Sequence, residues 1–152
     1  MSKVLFLHGM FGQNSSKPYF IRSLGLEVFH PFLNDWSFED SIKEAQKHLN
    51  ETEPDLIVGS SRGGAVAMNI DSKNIPIILL APAWRFFGKK DRTKDNATII
   101  HSENDNLIPI SDSIKLSANS NCKLVIAGKD HRLNCEDGKN AIKKIINTYL
   151  NC

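Results

Sequence analysis

The sequence predicts an α/β domain: a three-layer α/β/α sandwich around a parallel sheet of about six strands. Three observations predict it. Short, nearly continuous apolar runs recur along the chain, and such runs suit strands buried on both faces of a sheet. Between most of them lie segments with helix signals, namely caps and apolar positions three or four residues apart. Strand and helix in alternation imply parallel strands joined by crossovers on both faces. The third observation is placement. Met10, Ser61, Asp105 and His131 each follow a predicted strand, and in this architecture ligands sit beyond the carboxyl ends of the strands. At 152 residues the chain, 1–152, is expected to form one domain with a single sizeable core.

Val4 to Leu7 is an apolar run flanked by polar residues and reads as the first strand. His8-Gly9-Met10-Phe11-Gly12 follows, where two glycines let the backbone bend sharply and leave amides pointing outward. After the polar loop from Gln13, Ser16 can cap a helix that has Pro18 in its first turn, covers Tyr19 to Leu24 and ends at Gly25. Leu26 to His30 is the second strand, closed by Pro31. Ser37 or Asp35 can cap a helix from about Phe38 to Asn50, with Phe38, Ile42, Ala45 and Leu49 on its buried face. Pro54 bars continuation, and Leu56 to Val58 is the third strand. Gly64 to about Ile70 reads as helix. Ile75 to Leu80 is the next strand, ended by Pro82, and its Ile and Leu content suits a central position. Residues 82–96 form the longest irregular segment. Ala97 to His101 is a strand, Ser111 opens a short helix to about Ala118, and Lys123 to Ala127 is the last strand. Glu136 to Leu150 is a closing amphipathic helix.

The balance of 41% hydrophobic and 24% charged residues is that of a soluble globular protein, and a formal net charge of +2 gives no pull toward nucleic acid or an acidic membrane surface. No apolar run approaches the ~20 residues of a membrane span. The apolar residues after Lys3 are too few for a signal peptide, which needs ~7–15. Cys122, Cys135 and Cys152 form an odd set without metal-ligand spacing and read as free thiols in a reducing cytoplasm. No metal, cofactor, nucleic-acid or membrane partner is expected; monomer and dimer both stay open.

The chemistry centres on the stretch from Asp55 to Met68, which reads as strand, G-x-S-x-G, helix. A serine on so sharp a turn has its hydroxyl pushed out at the sheet edge, beside a helix N-terminus that favours developing negative charge. Gly59 and Gly63 stand where a side chain would collide, and Ser60 is expected to face away from the crevice in a structural role. A serine hydroxyl is a poor nucleophile until a base takes its proton, and the base needs an orienting acid. His131 in Gly128-Lys-Asp-His131 and Asp105 in the loop from Ser102 to Pro109 supply these types past two later strands. Glu103, Asp112 and Asp130 are rival acids, although a sequence neighbour such as Asp130 rarely curls back onto the adjacent imidazole. His8 is expected to hydrogen-bond within its own loop and shape it. His101, at a strand end, is expected to be a satisfied structural histidine. Trp84, Phe86 and Phe87 could wall an acyl pocket or pack as a minor core. Lys89, Lys90, Arg92 and Lys94, interrupted by Asp91 and Asp95, read as a solvated loop.

Four segments, H-G-x-x-G at His8 to Gly12, G-x-S-x-G at Gly59 to Gly63, D-x-x-x-P at Asp105 to Pro109 and G-x-x-H at Gly128 to His131, stand in an order that resembles the α/β-hydrolase family over nearly the whole chain. More narrowly, the chain looks like the small, cap-poor bacterial serine hydrolases and esterases. The resemblance implies a minimal α/β-hydrolase fold with Ser61 as nucleophile and His131 as general base and then acid. It further implies Asp105 as the imidazole's partner and the backbone amides of Met10 and Arg62 as the oxyanion hole. Phe11, Trp84 and Phe87 are assigned to substrate binding. Against the full family, two amino-terminal strands are missing, so the sheet starts at Val4, and the cap is reduced to residues 82–96. An open crevice and small or short-chain acyl groups are therefore expected. The implied activity is cleavage of a small-molecule carboxylic ester or thioester through an acyl-Ser61 intermediate. Cleavage of an amide, lactone or peptide bond uses the same residues. A non-catalytic binding module on this scaffold and a flavodoxin-like nucleotide or flavin binder are the readings from other classes.

Overall fold

The computed structural model describes residues 1–150, so Cys152 lies outside the described residues; Cys122 and Cys135 are free thiols. The apolar runs form six strands: β1 (Lys3–Leu7), β2 (Glu27–Phe29), β3 (Leu56–Ser60), β4 (Ile77–Leu80), β5 (Ala97–His101) and β6 (Lys123–Ile126). They lie in one sheet, in the order β2-β1-β3-β4-β5-β6, with every neighbouring pair parallel. The helices are α1 (Lys17–Ser23), α2 (Phe38–Thr52), α3 (Arg62–Asn69), α4 (Ile110–Ser120) and α5 (Glu136–Leu150). No helix among the described residues is long and apolar enough to cross a membrane.

The pleat divides each run between two faces. Leu5, Leu7, Ile57, Ile77, Leu79 and Ile99 pack with residues of α2, α3 and α4. Val4, Phe6, Val58, Ile78, Leu80 and Ile100 pack with residues of α1 and α5. Both faces are therefore dry, which is why these strands read as continuous apolar runs rather than alternating ones. The chain steps from β1 to β2 in one direction and from β3 onward in the other. This leaves a switch point between β1 and β3 where a crevice can open.

Element ends differ from the sequence reading by one or two residues where local chemistry intervenes. Ser37, rather than Asp35, caps α2, its Oγ accepting the Asp40 N–H at 3.1 Å. Asp35 is engaged elsewhere, accepting the Phe11 N–H at 2.9 Å. β4 opens at Ile77, after Pro76, which has no N–H for the ladder. The segment 82–96 forms neither helix nor strand. It packs all the same, with Trp84 in the core shared by α2, α3 and α4, where a crossover helix would otherwise cover the sheet.

The closest backbone approach lies where β1, β3 and α3 meet. A Cβ on Gly63 would lie 2.0 Å from Leu7 O and 2.6 Å from His8 O, and one on Gly59 would lie 2.6 Å from Gly63 O. No flexible side chain can give way there, so Gly63→Ala falls at or beyond the upper end of overpacking costs, about 3 kcal/mol. For a chain of this size that lowers Tm by roughly 6–12 °C. Scanning calorimetry checks this, and an unchanged Tm would mean that α3 does not rest on β1 this closely.

Candidate active site

Ser61 sits between β3 and α3 at φ 56° and ψ −116°, a conformation that costs a residue with a Cβ ~1–3 kcal/mol. Backbone bonds hold it there. The Ser61 N–H donates to Leu80 O at 2.8 Å, and Ser61 O accepts from Ala83 N–H at 3.0 Å and Gly64 N–H at 3.0 Å. The end of β4 and the start of the 82–96 segment thus clamp the turn. Ser61 borders a crevice of about 590 Å³ at the switch point, with Met10, Phe11, Leu107 and His131 among its walls. Ser60, expected to face away, also borders this crevice.

The Ser61 hydroxyl meets His131 Nε2 at 3.0 Å, and His131 Nδ1 meets Asp105 Oδ2 at 2.6 Å. A carboxylate only accepts, so Nδ1 carries the hydrogen, and in the neutral imidazole Nε2 is left to accept the Ser61 hydroxyl proton. The Asp105 side chain is wholly shielded from solvent. Its Oδ1 accepts the Leu107 and Ile108 N–H groups, both at 2.8 Å. Its Oδ2 accepts a second imidazole, His101 Nε2, at 3.0 Å. Four donors therefore occupy one carboxylate. Burial by itself would raise the Asp105 pKa; the Ile108 N–H, the His131 hydrogen bond, the Leu107 N–H and the charge of His131 outweigh it and hold the pKa below the ordinary value.

His101 was expected to be a satisfied structural histidine, and its contacts extend that reading to the acid. Its Nε2 faces two pure acceptors, Asp105 Oδ2 and Ile108 O, each at 3.0 Å, so Nε2 bears the hydrogen. Nδ1 then accepts from the Ser113 hydroxyl at 2.7 Å. Burial pushes the His101 pKa down against the opposing pull of Asp105, which favours this neutral form. His101 therefore gives Asp105 a donor without giving it a counter-charge.

The loop after β1 forms the other side of the crevice. His8 is buried, its Nδ1–H donating to Gly9 O at 2.7 Å while Nε2 accepts the Leu33 N–H at 3.0 Å. It does hold its own loop, and it ties that loop to the segment after β2. Phe11 takes φ 53° and its N–H is spent on Asp35. Among the described residues the N–H groups of Met10 and Arg62 meet no protein acceptor. The Arg62 side chain is engaged as well. It is fully buried against the stacked rings of Phe38 and Phe87, at 5.5 and 5.4 Å from their centres, and donates to Ser41 Oγ at 3.1 Å and Asn34 O at 2.8 Å.

The structure thus brings together Ser61, His131, Asp105, Met10 and Phe11. It does not bring Trp84 or Phe87 to the crevice, which corrects the acyl-pocket expectation. The Trp84 indole is buried and donates to Asp112 O at 3.1 Å, and Phe87 stacks on Phe38 at 5.7 Å. Trp84 covers the sheet face that lacks a crossover helix, and Phe87 also contacts the Arg62 guanidinium. Of the rival acids, Asp112 pairs with Arg85 at 3.3 Å, and Asp130 accepts the Arg132 and Leu133 N–H groups. Sequence reasoning passed over Lys17, which reaches this crevice; its one signal was a charged residue beside Pro18 at a helix start.

Because Asp105 binds a proton less readily in the folded state, its contribution to stability is fully present above the unfolded value of about 3.9 and is lost as pH falls through the lower folded value. Asp105→Asn removes that contribution. The Tm gap between wild type and Asp105→Asn should be widest near neutral pH and narrow below pH ~4. A gap that does not change with pH would contradict the depressed pKa.

No model of a known protein family matches the chain, and no curated protein matches it in sequence. Solved structures do match, at low identity. Est1E from Butyrivibrio proteoclasticus aligns over 99% of this chain and 89% of its own, with a TM-score of 0.79 and 15% identity. The ydeN gene product of B. subtilis aligns over 100% of both chains, with a TM-score of 0.74 and 15% identity. MGS-MChE2, an alpha/beta hydrolase enzyme from a sediment metagenome of the lagoon of Mar Chica, Morocco, aligns over 99% of this chain and 91% of its own, with a TM-score of 0.72 and 13% identity. The likeness is one of fold.

Proposed function

We propose that this chain, whose fold is that of the α/β-hydrolases, is a serine hydrolase that cleaves a carboxylic ester or thioester through an acyl-Ser61 intermediate. The observation that carries this reading is the unbroken line of hydrogen bonds from Ser61 through His131 to Asp105 at the mouth of a crevice.

The chemistry follows from the tautomers. Ser61 Oγ attacks the carbonyl carbon while His131 Nε2 takes its proton. The carbonyl oxygen becomes an oxyanion, which the free N–H groups of Met10 and Arg62 are suited to hold, each such donor contributing ~3–4 kcal/mol to the transition state. The bond to the leaving oxygen or sulfur breaks, and the imidazolium returns its proton to the departing alcohol or thiol. Water then attacks the acyl-serine as His131 takes its proton, the carboxylic acid leaves and the Ser61 hydroxyl is restored. Asp105 stays ionised throughout, orienting the ring and stabilising the imidazolium. Because the 82–96 segment packs on the sheet rather than over the crevice, small or short acyl groups fit the site best.

Intact mass after exposure to a fluorophosphonate tests the reading. Wild type should gain one adduct and Ser61→Ala none, whereas an unmodified wild type would sink the proposal. With a chromogenic acetate ester, Asp105→Asn should lower kcat by about four orders of magnitude through loss of the correct tautomer. A series of 4-nitrophenyl esters should show kcat/KM falling as the acyl chain lengthens, and a preference for long chains would refute the short-acyl assignment.

A further inference from the structure

One buried cation in this crevice has no part in the steps above. Lys17 opens α1 with only 7% of its surface exposed, yet it borders the same crevice as Ser61 and His131. The contact of its Nζ is Asn134 Oδ1 at 3.5 Å, the outer limit of a hydrogen bond. Among the described residues no carboxylate lies within ion-pair distance of it. Asp130 and Arg132 are the charged groups that act on it. Asp130 already accepts two backbone N–H groups, and Arg132 borders the crevice as a second cation. The crevice walls carry no Asp or Glu. A buried ammonium is costly unless it is paired, so the fold maintains a positive charge here without neutralising it.

We propose that Lys17 and Arg132 bind an anionic substituent of the substrate, so that the ester or thioester cleaved at Ser61 carries a carboxylate or a group of like charge and size. This rests on the serine-hydrolase reading and names its substrate class. The Lys17 ammonium supplies up to three donors and the Arg132 guanidinium a planar fork, a combination that suits carboxylate oxygens. Burial lowers the Lys17 pKa from 10.5 to about 8, with Asp130 pulling it up and Arg132 pushing it down, so the site keeps its full charge below that value and loses part of it above.

Paired esters test this. Mono-4-nitrophenyl adipate against 4-nitrophenyl 6-methylheptanoate places the charge in the acyl half. 4-Acetoxybenzoate against 4-acetoxybenzamide places it in the leaving group. In one of the two pairs kcat/KM should favour the anion by about tenfold or more, mainly through KM, and Lys17→Met and Arg132→Gln should each erode that preference. The preference should also fall as pH rises through about 8, where Lys17 loses its proton; the ratio cancels titrations that affect both esters alike. Lys17→Met should be folded and melt higher than wild type at pH 7, because it removes a buried ammonium. A lower Tm together with an intact preference would make Lys17 a structural residue and overturn the proposal. Equal use of charged and neutral esters, with Ser61 still labelled by fluorophosphonate, overturns the anion site and leaves the hydrolase reading standing. Loss of both turnover and label overturns both.

Discussion

The contact between the first turn of α3 and the end of β1 governs the site. Helix and strand touch backbone to backbone because Gly63 has no Cβ to hold them apart. The same approach sets the His8–Gly12 loop beside the turn, with the Gly9 Cβ position 3.2 Å from Ser61 Cβ. Were the helix to stand off by the width of a methyl group, the Arg62 amide would move away from the loop that carries Met10. Ser61 would also be freer to leave its strained φ. The strain is supported from outside the turn, by the bonds to Leu80 and Ala83 and by the buried Arg62 side chain packed against the Phe38–Phe87 pair. Stability elsewhere in the domain is thus coupled to the pose of one hydroxyl.

Around Asp105 the problem is electrostatic rather than steric. A shielded carboxylate would take up a proton and fail as an imidazole partner. Two backbone N–H groups and two imidazole N–H groups keep it ionised instead. His101 contributes in its neutral form. A cationic residue in its place would compete with His131 for the charge of Asp105, whereas a neutral donor steadies the carboxylate and leaves that charge directed at His131. The Ser113 hydroxyl and Ile108 carbonyl hold the tautomer that makes this possible.

The crevice lining joins apolar Met10, Phe11 and Leu107 to polar Ser15, Ser16, Lys17 and Asn134. Phe11 and Trp36 meet edge to face at 5.9 Å and are largely exposed, while Lys17 lies buried beside Asn134. Exposed aromatic edges and a buried, weakly paired ammonium both lower stability relative to the ordinary arrangement. Departures of that kind tend to gather where binding or chemistry is required.

The linear order of residues determined the sheet, the alternation with helices and the Ser61 turn, because these depend on local signals: apolar runs, caps, and glycines at close approach. It also determined that Asp105 and His131 would follow strand ends, since parallel topology brings every such end to one edge. Three things were decided only in three dimensions. Trp84 packs on the sheet because β4 and β5 are neighbours without a crossover helix, a vacancy that no periodicity announces, and Phe87 stacks on Phe38. Arg62 matters through its side chain because Phe38, Phe87, Ser41 and Asn34 converge on it from distant segments. His101 and Lys17 acquire their environments the same way, one against Asp105 and the other against Asn134 of a later loop. Burial and charge depend on what the rest of the chain places nearby, and sequence spacing does not encode that distance.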